Sequence, residues 1–381
     1  MGLNLKSVFM VFIAVLFIGC FYSANADESN DPSCFSKSLH ASGEGMRYWY
    51  EEEGGFKNLT GIPYDELDCK NCHVKSCDQC HIGGKEGKCT YSTEVAQKNE
   101  TCLKCHTRAK ATIKINTAQD ALDVHFKNGM TCVECHESHD VHGDGTQYHT
   151  MREKGAVTAT CENCHEEDPE DTNEAHKQHK KDIHCSACHV KASTTCMNCH
   201  FGKFLETKQR KGNFIPPSQT WTLLMNYDGK VASANVQSLV YKGKKFIAYA
   251  PYFTHAIQEK GKDCSDCHAN KATQLIQKGE SVPMLSFKDG KVVHWEGIVP
   301  VAPDNLEWTF FDKKDEDWVP IESAEKPVVQ FAGYGTPFSK EQIDLMSLSP
   351  EDAKKAKEKT GKKGKKDKKG NSFLNFFNPS F

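Results

Sequence analysis

The pattern Cys-x-x-Cys-His recurs eight times in 381 residues, and it limits what this chain can fold into more than any other feature. The copies begin at Cys69, Cys77, Cys102, Cys132, Cys161, Cys185, Cys196 and Cys264. Each reads as an attachment site for c-type haem: two thiols add across the porphyrin vinyl groups, and the next histidine reaches the iron. The rival reading is a set of zinc knuckles built from paired Cys-x-x-Cys units. Zinc does not require a histidine directly after the second cysteine. Histidine makes up 18 of 381 residues, so its presence after all eight units argues for haem.

The attaching thiols are then Cys69 and Cys72, Cys77 and Cys80, Cys102 and Cys105, Cys132 and Cys135, Cys161 and Cys164, Cys185 and Cys188, Cys196 and Cys199, and Cys264 and Cys267. The proximal ligands are His73, His81, His106, His136, His165, His189, His200 and His268. Seven motifs lie between Cys69 and His200, roughly nineteen residues apiece. So few residues cannot build an aliphatic core, and apolar residues are only 38% of the chain. The macrocycles must supply the missing apolar surface, and the chain is expected to fold only with haem bound.

Spacing gives the array a rhythm. Three residues separate His73 from Cys77, and six separate His189 from Cys196. Linkers that short are expected to bring two porphyrins nearly into contact at each end of the array, with three single sites between. Short helices are expected to carry many sites, for example Ala118 to Lys127, with Asp120 near its start and Gly129 to stop it. Asp168-Pro169 and the acidic run around it read as a loop.

Ten histidines remain after the proximal set: His40, His125, His139, His142, His149, His176, His179, His184, His255 and His294. Eight six-coordinate irons need eight more ligands, so all ten are distal-ligand candidates. His125 stands seven residues before Cys132 and His255 nine before Cys264. His176, His179 and His184 crowd the approach to Cys185, and His139, His142 and His149 follow His136. Two nitrogen ligands leave iron able to change oxidation state but closed to substrate. An axial methionine (Met46, Met130, Met151 or Met197) would raise the potential.

Cys34 and Cys89 belong to no motif. In an oxidising compartment they make one disulfide most simply; the sharper alternative is a thiol that handles a sulfur substrate beside a haem. Residues 1–26 read as an export signal: Lys6, an apolar run from Val8 to Ile18, and Ala24-Asn25-Ala26 before the cleavage point. A lipoprotein leader, with Phe17-Ile18-Gly19-Cys20 putting a lipidated Cys20 at the new N-terminus, is the alternative. Either way the expected location is the periplasm or the outer surface of a Gram-negative cell.

The chain therefore divides into a signal at 1–26, a lead-in at 27–68 containing Tyr48-Trp49-Tyr50, a seven-haem array at 69–204, a β-rich module at 205–340 around the eighth haem, and a lysine-rich tail at 341–381. Three hairpins are expected in the β-rich module, turning at Asp228-Gly229, Lys242-Gly243 and Asp289-Gly290, with Pro216-Pro217 at the boundary. Residues 354 to 369 hold ten lysines against Glu358 and Asp367, so the remaining body is acidic despite a net charge of only −3. That balance argues against nucleic acid. The tail suits an anionic membrane surface or an acidic partner, or is simply solvated.

On these eight motifs and the spare histidines the chain resembles the octahaem c-type cytochromes over residues 69 to 268. The resemblance implies a fold of short helices and loops wrapped around haems, eight covalently bound haems, and redox partners such as quinol-linked or outer-membrane cytochromes. Oligomers or filaments occur among such proteins. It also implies one of two activities: an electron carrier in anaerobic respiration, or a reductase for nitrite, hydroxylamine or tetrathionate at one open or weakly ligated haem. Nitrite-reducing members carry one Cys-x-x-Cys-Lys motif, whereas all eight motifs here end in histidine. The near-balance of spare histidines favours the carrier. A single haem without a second ligand, facing His, Tyr or Lys, would favour the reductase.

Overall fold

A computed structural model describes residues 32–357, apart from 53, 68–72, 84–89, 166–172, 180, 208–213 and 315–316. The expected signal, Cys20, Cys69, Cys72, Cys89, the Asp168-Pro169 loop and tail residues 358–381 lie outside the described residues. Among the described residues, no helix is long and apolar enough to cross a membrane.

Up to residue 190 the chain is a succession of short helices and loops, with one small ladder of β1 (Ile82–Gly83) and β2 (Thr90–Tyr91). The twelve-residue helix Thr107–Ala118 is the longest element here. It ends where the sequence pattern placed the start of a helix running to Lys127. That expectation needs correcting: Asp120 adopts a left-handed φ of 51°, and a new four-residue helix, Val124–Lys127, begins only after Asp123 caps it. Gly129, at φ 88°, closes the turn as expected.

Between residues 73 and 186, Ala156 is the one buried apolar side chain among the described residues. The polypeptide alone therefore gives this region almost no hydrophobic core. Its buried side chains are instead polar, such as Thr112, Asn116, Asp123 and Thr150.

The second half is built differently. Its strands are β3 (Thr195–His200), β4 (Ile215–Ser218), β5 (Trp221–Tyr227), β6 (Lys230–Tyr241), β7 (Lys244–Pro251), β8 (Val282–Lys288), β9 (Lys291–His294), β10 (Gly297–Pro300), β11 (Leu306–Trp308), β12 (Phe311–Lys314), β13 (Asp317–Pro320) and β14 (Val328–Phe331). The long strand β6 is the trunk of a seven-stranded sheet: β5 and β7 pair with it antiparallel and β3 parallel. Strands β8, β9 and β11 form a second sheet. All three anticipated hairpins are present. Each turns on two residues of positive φ: Asp228 and Gly229 (47° and 71°), Lys242 and Gly243 (49° and 77°), and Asp289 and Gly290 (51° and 74°). That is the geometry a two-residue turn needs to match strand twist. Trp221, Leu223, Met225, Val236, Tyr249, Met284 and Phe311 fill the core between the sheets.

Pro216-Pro217 lies inside β4 rather than between units, and β4 pairs with β3, which carries the seventh motif. Haem motif and sheet therefore interpenetrate at residues 195–218. The lead-in packs against the same region. Tyr50, Phe56, Tyr64 and Leu67 meet Phe201, Phe204, Tyr241 and Phe246 in one aromatic cluster.

Candidate haem array and its histidine pairs

Six of the motifs start on a helical or 3-10 turn: the segments Asp78–His81, Asn99–Cys102, Cys132–Glu134, Cys161–Asn163, Cys185–His189 and Cys264–Cys267. In each, a main-chain bond from the histidine N–H, or from the second cysteine to the first, closes the turn. Both thiols and the histidine are thereby gathered at one end of a short helix. Caps fix where the turns begin: Thr131 with Glu134 and Asp263 with Asp266 form reciprocal capping boxes.

Each of these six proximal histidines faces one spare histidine. Ring centroids are 6.1 Å apart for His81 and His142, 6.0 Å for His106 and His40, 6.2 Å for His136 and His255, 6.3 Å for His165 and His125, 6.1 Å for His189 and His176, and 6.1 Å for His268 and His179. Metal–imidazole bonds run about 2.0–2.1 Å. Two in line, with ~1.1 Å from each nitrogen to its ring centre, put centroids ~6.3 Å apart. The spacing fits one iron between each pair.

Second hydrogen bonds orient several of these rings. His125 Nδ1 lies 3.0 Å from Asp123, His136 Nδ1 3.0 Å from Asp140, His142 Nδ1 2.9 Å from Ser138 Oγ, and His189 Nδ1 3.0 Å from the Gln258 carbonyl. Holding Nδ1 leaves Nε2 for a metal, the usual arrangement around a ligating imidazole. Burial first, and the facing imidazole after it, pushes His40 and His255 below the ordinary histidine range; burial lowers His106, His179 and His268 as well. Neutral imidazole is the form that binds metal.

The thiols show the order of the sites. Cys102 and Cys132 hydrogen-bond each other, which draws Cys102 down to about 6 and pushes Cys132 up. Cys161 and Cys185 do the same, with Cys185 at about 6 and Cys161 raised. Burial raises Cys80, Cys135 and Cys188, with further repulsion on Cys80 from Cys102, on Cys135 from Cys164 and on Cys188 from Cys264. Cys267 is pushed to about 12 by burial and then by Cys188. Neighbouring motifs thus follow the series that starts at Cys77, Cys102, Cys132, Cys161, Cys185 and Cys264. The eighth motif, remote in sequence, adjoins the sixth in space.

Two motifs differ. His73 faces a tyrosine: the Tyr64 hydroxyl is 3.0 Å from His73 Nε2, with ring centroids 6.0 Å apart. Tyr64 is only 1% exposed. The Arg47 guanidinium lies 5.0 Å over its ring and is held by a two-pronged bond to Asp65 at 2.6 and 3.0 Å. Composition and spacing gave no signal for Tyr64 or Arg47, because a tyrosine outside any motif reads as core.

The seventh motif sits in β3. Alternation along a strand would send Cys196 and Cys199 to opposite faces. An irregularity in pairing between them, with Asn198 at φ 57°, breaks that alternation. His200 Nε2 lies 2.9 Å from the Phe311 carbonyl, and its ring is 5.6 Å from Trp318. A cleft of about 280 Å³ beside it is lined by His200, Lys203, Lys242 and Asp312.

The structure does not bring the remaining four candidates to a proximal histidine. His139 Nε2 bonds the Gly155 carbonyl at 3.0 Å. His149 lies 3.5 Å from Glu44. His184 caps the sixth motif through Ser186 and stacks on Phe253 at 4.4 Å. His294 bonds Ser218 at 3.1 Å beside Trp221. The tail is rooted near the paired sites: Lys354 bonds Glu174 at 2.8 Å, and Lys357 pairs with Asp182. The expected disulfide depends on Cys89, outside the described residues.

The region fits haem on a further ground. Asn116 is fully buried, yet both its side-chain oxygen and its nitrogen have no partner. Unpaired buried polar atoms in a region with one buried apolar side chain suit the lining of a polar-edged prosthetic group such as haem.

No family model and no solved structure matches this chain. It is similar to dissimilatory sulfite reductase MccA of Wolinella succinogenes, 22% identical over 178 residues, which take in 36% of this chain and 24% of that protein. The chain thus spans about a quarter of that relative's length. This distant similarity is consistent with a redox role based on several c-type haems.

Proposed function

We propose that this is an exported multihaem c-type cytochrome with reductase activity. The six histidine pairs would hold haems that pass electrons along the series of motifs at Cys77, Cys102, Cys132, Cys161, Cys185 and Cys264. The first site, opposite Tyr64, reduces a small oxyanion of sulfur or nitrogen. The observation that carries this reading is the 3.0 Å contact between the Tyr64 hydroxyl and His73 Nε2. It puts a phenol hydroxyl beside His73, the one proximal histidine of the first motif, where, among the described residues, no spare imidazole faces it.

Haem bound at these motifs supplies one-electron chemistry; the protein supplies spacing, insulation and protons. Tyr64 can donate its hydroxyl proton to an oxygen leaving the substrate. Arg47, fixed by Asp65 and within 4.0 Å of Glu44 and Glu51, holds the phenol ring in place from above rather than offering a free positive charge. The aromatic cluster of Tyr50, Phe56 and Leu67 excludes water from one side. The activity that names the similar protein, sulfite reduction, supports the choice of a sulfur oxyanion.

The second reading is a pure carrier, and the six closed pairs favour it, since closed sites exchange electrons and nothing else. An assay on the haem-loaded protein separates the two. Reduced viologen should be consumed when sulfite, nitrite, hydroxylamine or tetrathionate is added, and Tyr64→Phe should slow that consumption. If the fully loaded native chain consumes none of the four, the carrier stands.

A further inference from the structure

Arg152 has no place in the histidine pairs or at the first site, and its surroundings are unusual for a cation. Its guanidinium sits 4.0 Å over the Phe253 ring, on which His184 also stacks at 4.4 Å and 11°. Its Nε is buried without a partner. The polar groups that face it are the hydroxyls of Tyr227 and Tyr252, and Tyr227 donates to the Arg152 carbonyl at 2.8 Å. Among the described residues, no carboxylate forms an ion pair with it. A second guanidinium, Arg108, lies 5.4 Å over Tyr252 and increases the local positive charge. Backbone makes room for this arrangement. Gly333, at φ 64°, stands where a Cβ would come within 3.1 Å of Arg152 Cγ.

A buried cation without a counter-charge costs several kcal/mol, on the order of breaking a buried ion pair. The Phe253 ring and the two tyrosine hydroxyls offset part of that cost, and an anion from outside the polypeptide would offset the rest. The neighbours show where it would come from. His184, which stacks on the same Phe253 ring as Arg152, directly precedes the sixth motif. Each haem carries two carboxylates on its propionate arms, remote from the thioether bonds. We infer that Arg152 is the counter-ion of a haem propionate, bound between Phe253 and the hydroxyls of Tyr227 and Tyr252. The inference rests on haem at the motifs and is independent of the reductase reading.

A positive charge paired to a propionate favours the reduced iron, so its removal lowers one redox component. The test is a spectroelectrochemical titration of the haem-loaded chain. The samples are the native protein, Arg152→Gln, Arg152→Lys and Arg152→Met, the last as an apolar variant should the glutamine fail to load haem. The expected result is one component moved to lower potential in the Gln and Met variants and largely restored in Lys. Resonance Raman should report an altered propionate bending mode while every paired site stays low-spin. Added sulfate should leave the native titration unchanged. Titrations of Gln and Met that overlay the native curve at full haem content would overturn the inference. So would a native potential that moves with sulfate while the variants do not, because the site would then take a free oxyanion. Neither failure touches the first-site proposal, which the viologen assay reports separately.

Discussion

The Tyr64 hydroxyl lies 3.0 Å from Nε2 of His73, and the two ring planes are 19° from parallel. Their centroid separation of 6.0 Å matches that of His40 and His106. The ligand atoms are closer here than in the six pairs: the phenol hydrogen-bonds His73 directly, where two metal bonds of about 2.0–2.1 Å would need roughly 4 Å between them. The burial of Tyr64 comes from sequence-local packing on Tyr50 and from contact with the cluster around Phe201 and Phe246. A phenol held that firmly is oriented before any ligand arrives.

Replacing Tyr64 by Phe removes the hydroxyl and keeps the ring. Substrate-dependent oxidation of reduced viologen should fall by about 10²-fold, the low end of what a positioned proton donor contributes. Haem content and the low-spin spectrum of the paired sites should be unchanged. Equal turnover in the Tyr64→Phe variant and the native protein would remove Tyr64 from the reaction.

The pairs make a different prediction for each spare histidine. His255→Ala leaves His136 without its facing ring, so one low-spin haem should become high-spin in the electron paramagnetic resonance spectrum. His139→Ala and His294→Ala should leave every haem as it was, because these rings bond the Gly155 carbonyl and Ser218 instead. A spin change in either of the last two would contradict the pairing.

Much of the β-rich half was legible because its signals are local. Asp228-Gly229, Lys242-Gly243 and Asp289-Gly290 accept positive φ, and each lies between runs of strand-forming residues. What escaped is what depends on distant segments. Strand β3 pairs parallel with β6, which no short pattern encodes, so the seventh motif gave no warning that it belongs to a sheet. Spacing supplied the spare histidines but not their partners. His255, nine residues before Cys264, faces His136 of the fourth motif, and His125, before the fourth, faces His165 of the fifth. The helix placed over residues 118–127 failed at Asp120, whose short polar side chain tolerates the left-handed turn that the periodicity ignored.

Haem-free chain, made where attachment cannot occur, should split into two behaviours. With Ala156 as the one buried apolar side chain described between 73 and 186, amides there should exchange with solvent rapidly. Strands β5, β6 and β7, packed around Leu223, Val236 and Ile247, should stay protected. Uniform protection along the haem-free chain would refute the idea that haem forms the core of the first half.

Burial holds His294 below the ordinary histidine range. The folded form therefore binds that proton more weakly than the unfolded chain. Its contribution to stability is complete above about pH 6.5 and declines as the pH drops below it. The melting temperature of the β-rich half should fall with acidification, and His294→Gln should flatten that slope. An unchanged slope in the variant would assign the acid sensitivity to other groups.

Lys354 and Lys357 root the basic segment on Glu174 and Asp182, beside the helix that carries His176 and His179. Deleting residues 358–381 removes seven lysines and the five apolar side chains Phe373, Leu374, Phe376, Phe377 and Phe381. Co-sedimentation with phosphatidylglycerol vesicles should be lost and the optical spectrum kept. Undiminished vesicle binding would show that the tail is a solvated appendage.

The most direct test of the whole account is the electron paramagnetic resonance spectrum of the oxidised, haem-loaded protein, recorded with and without sulfite. The account predicts low-spin signals from the six histidine pairs together with a high-spin component that changes on adding sulfite and is altered in Tyr64→Phe. A spectrum in which all eight haems are low-spin and indifferent to sulfite, nitrite and hydroxylamine would contradict it.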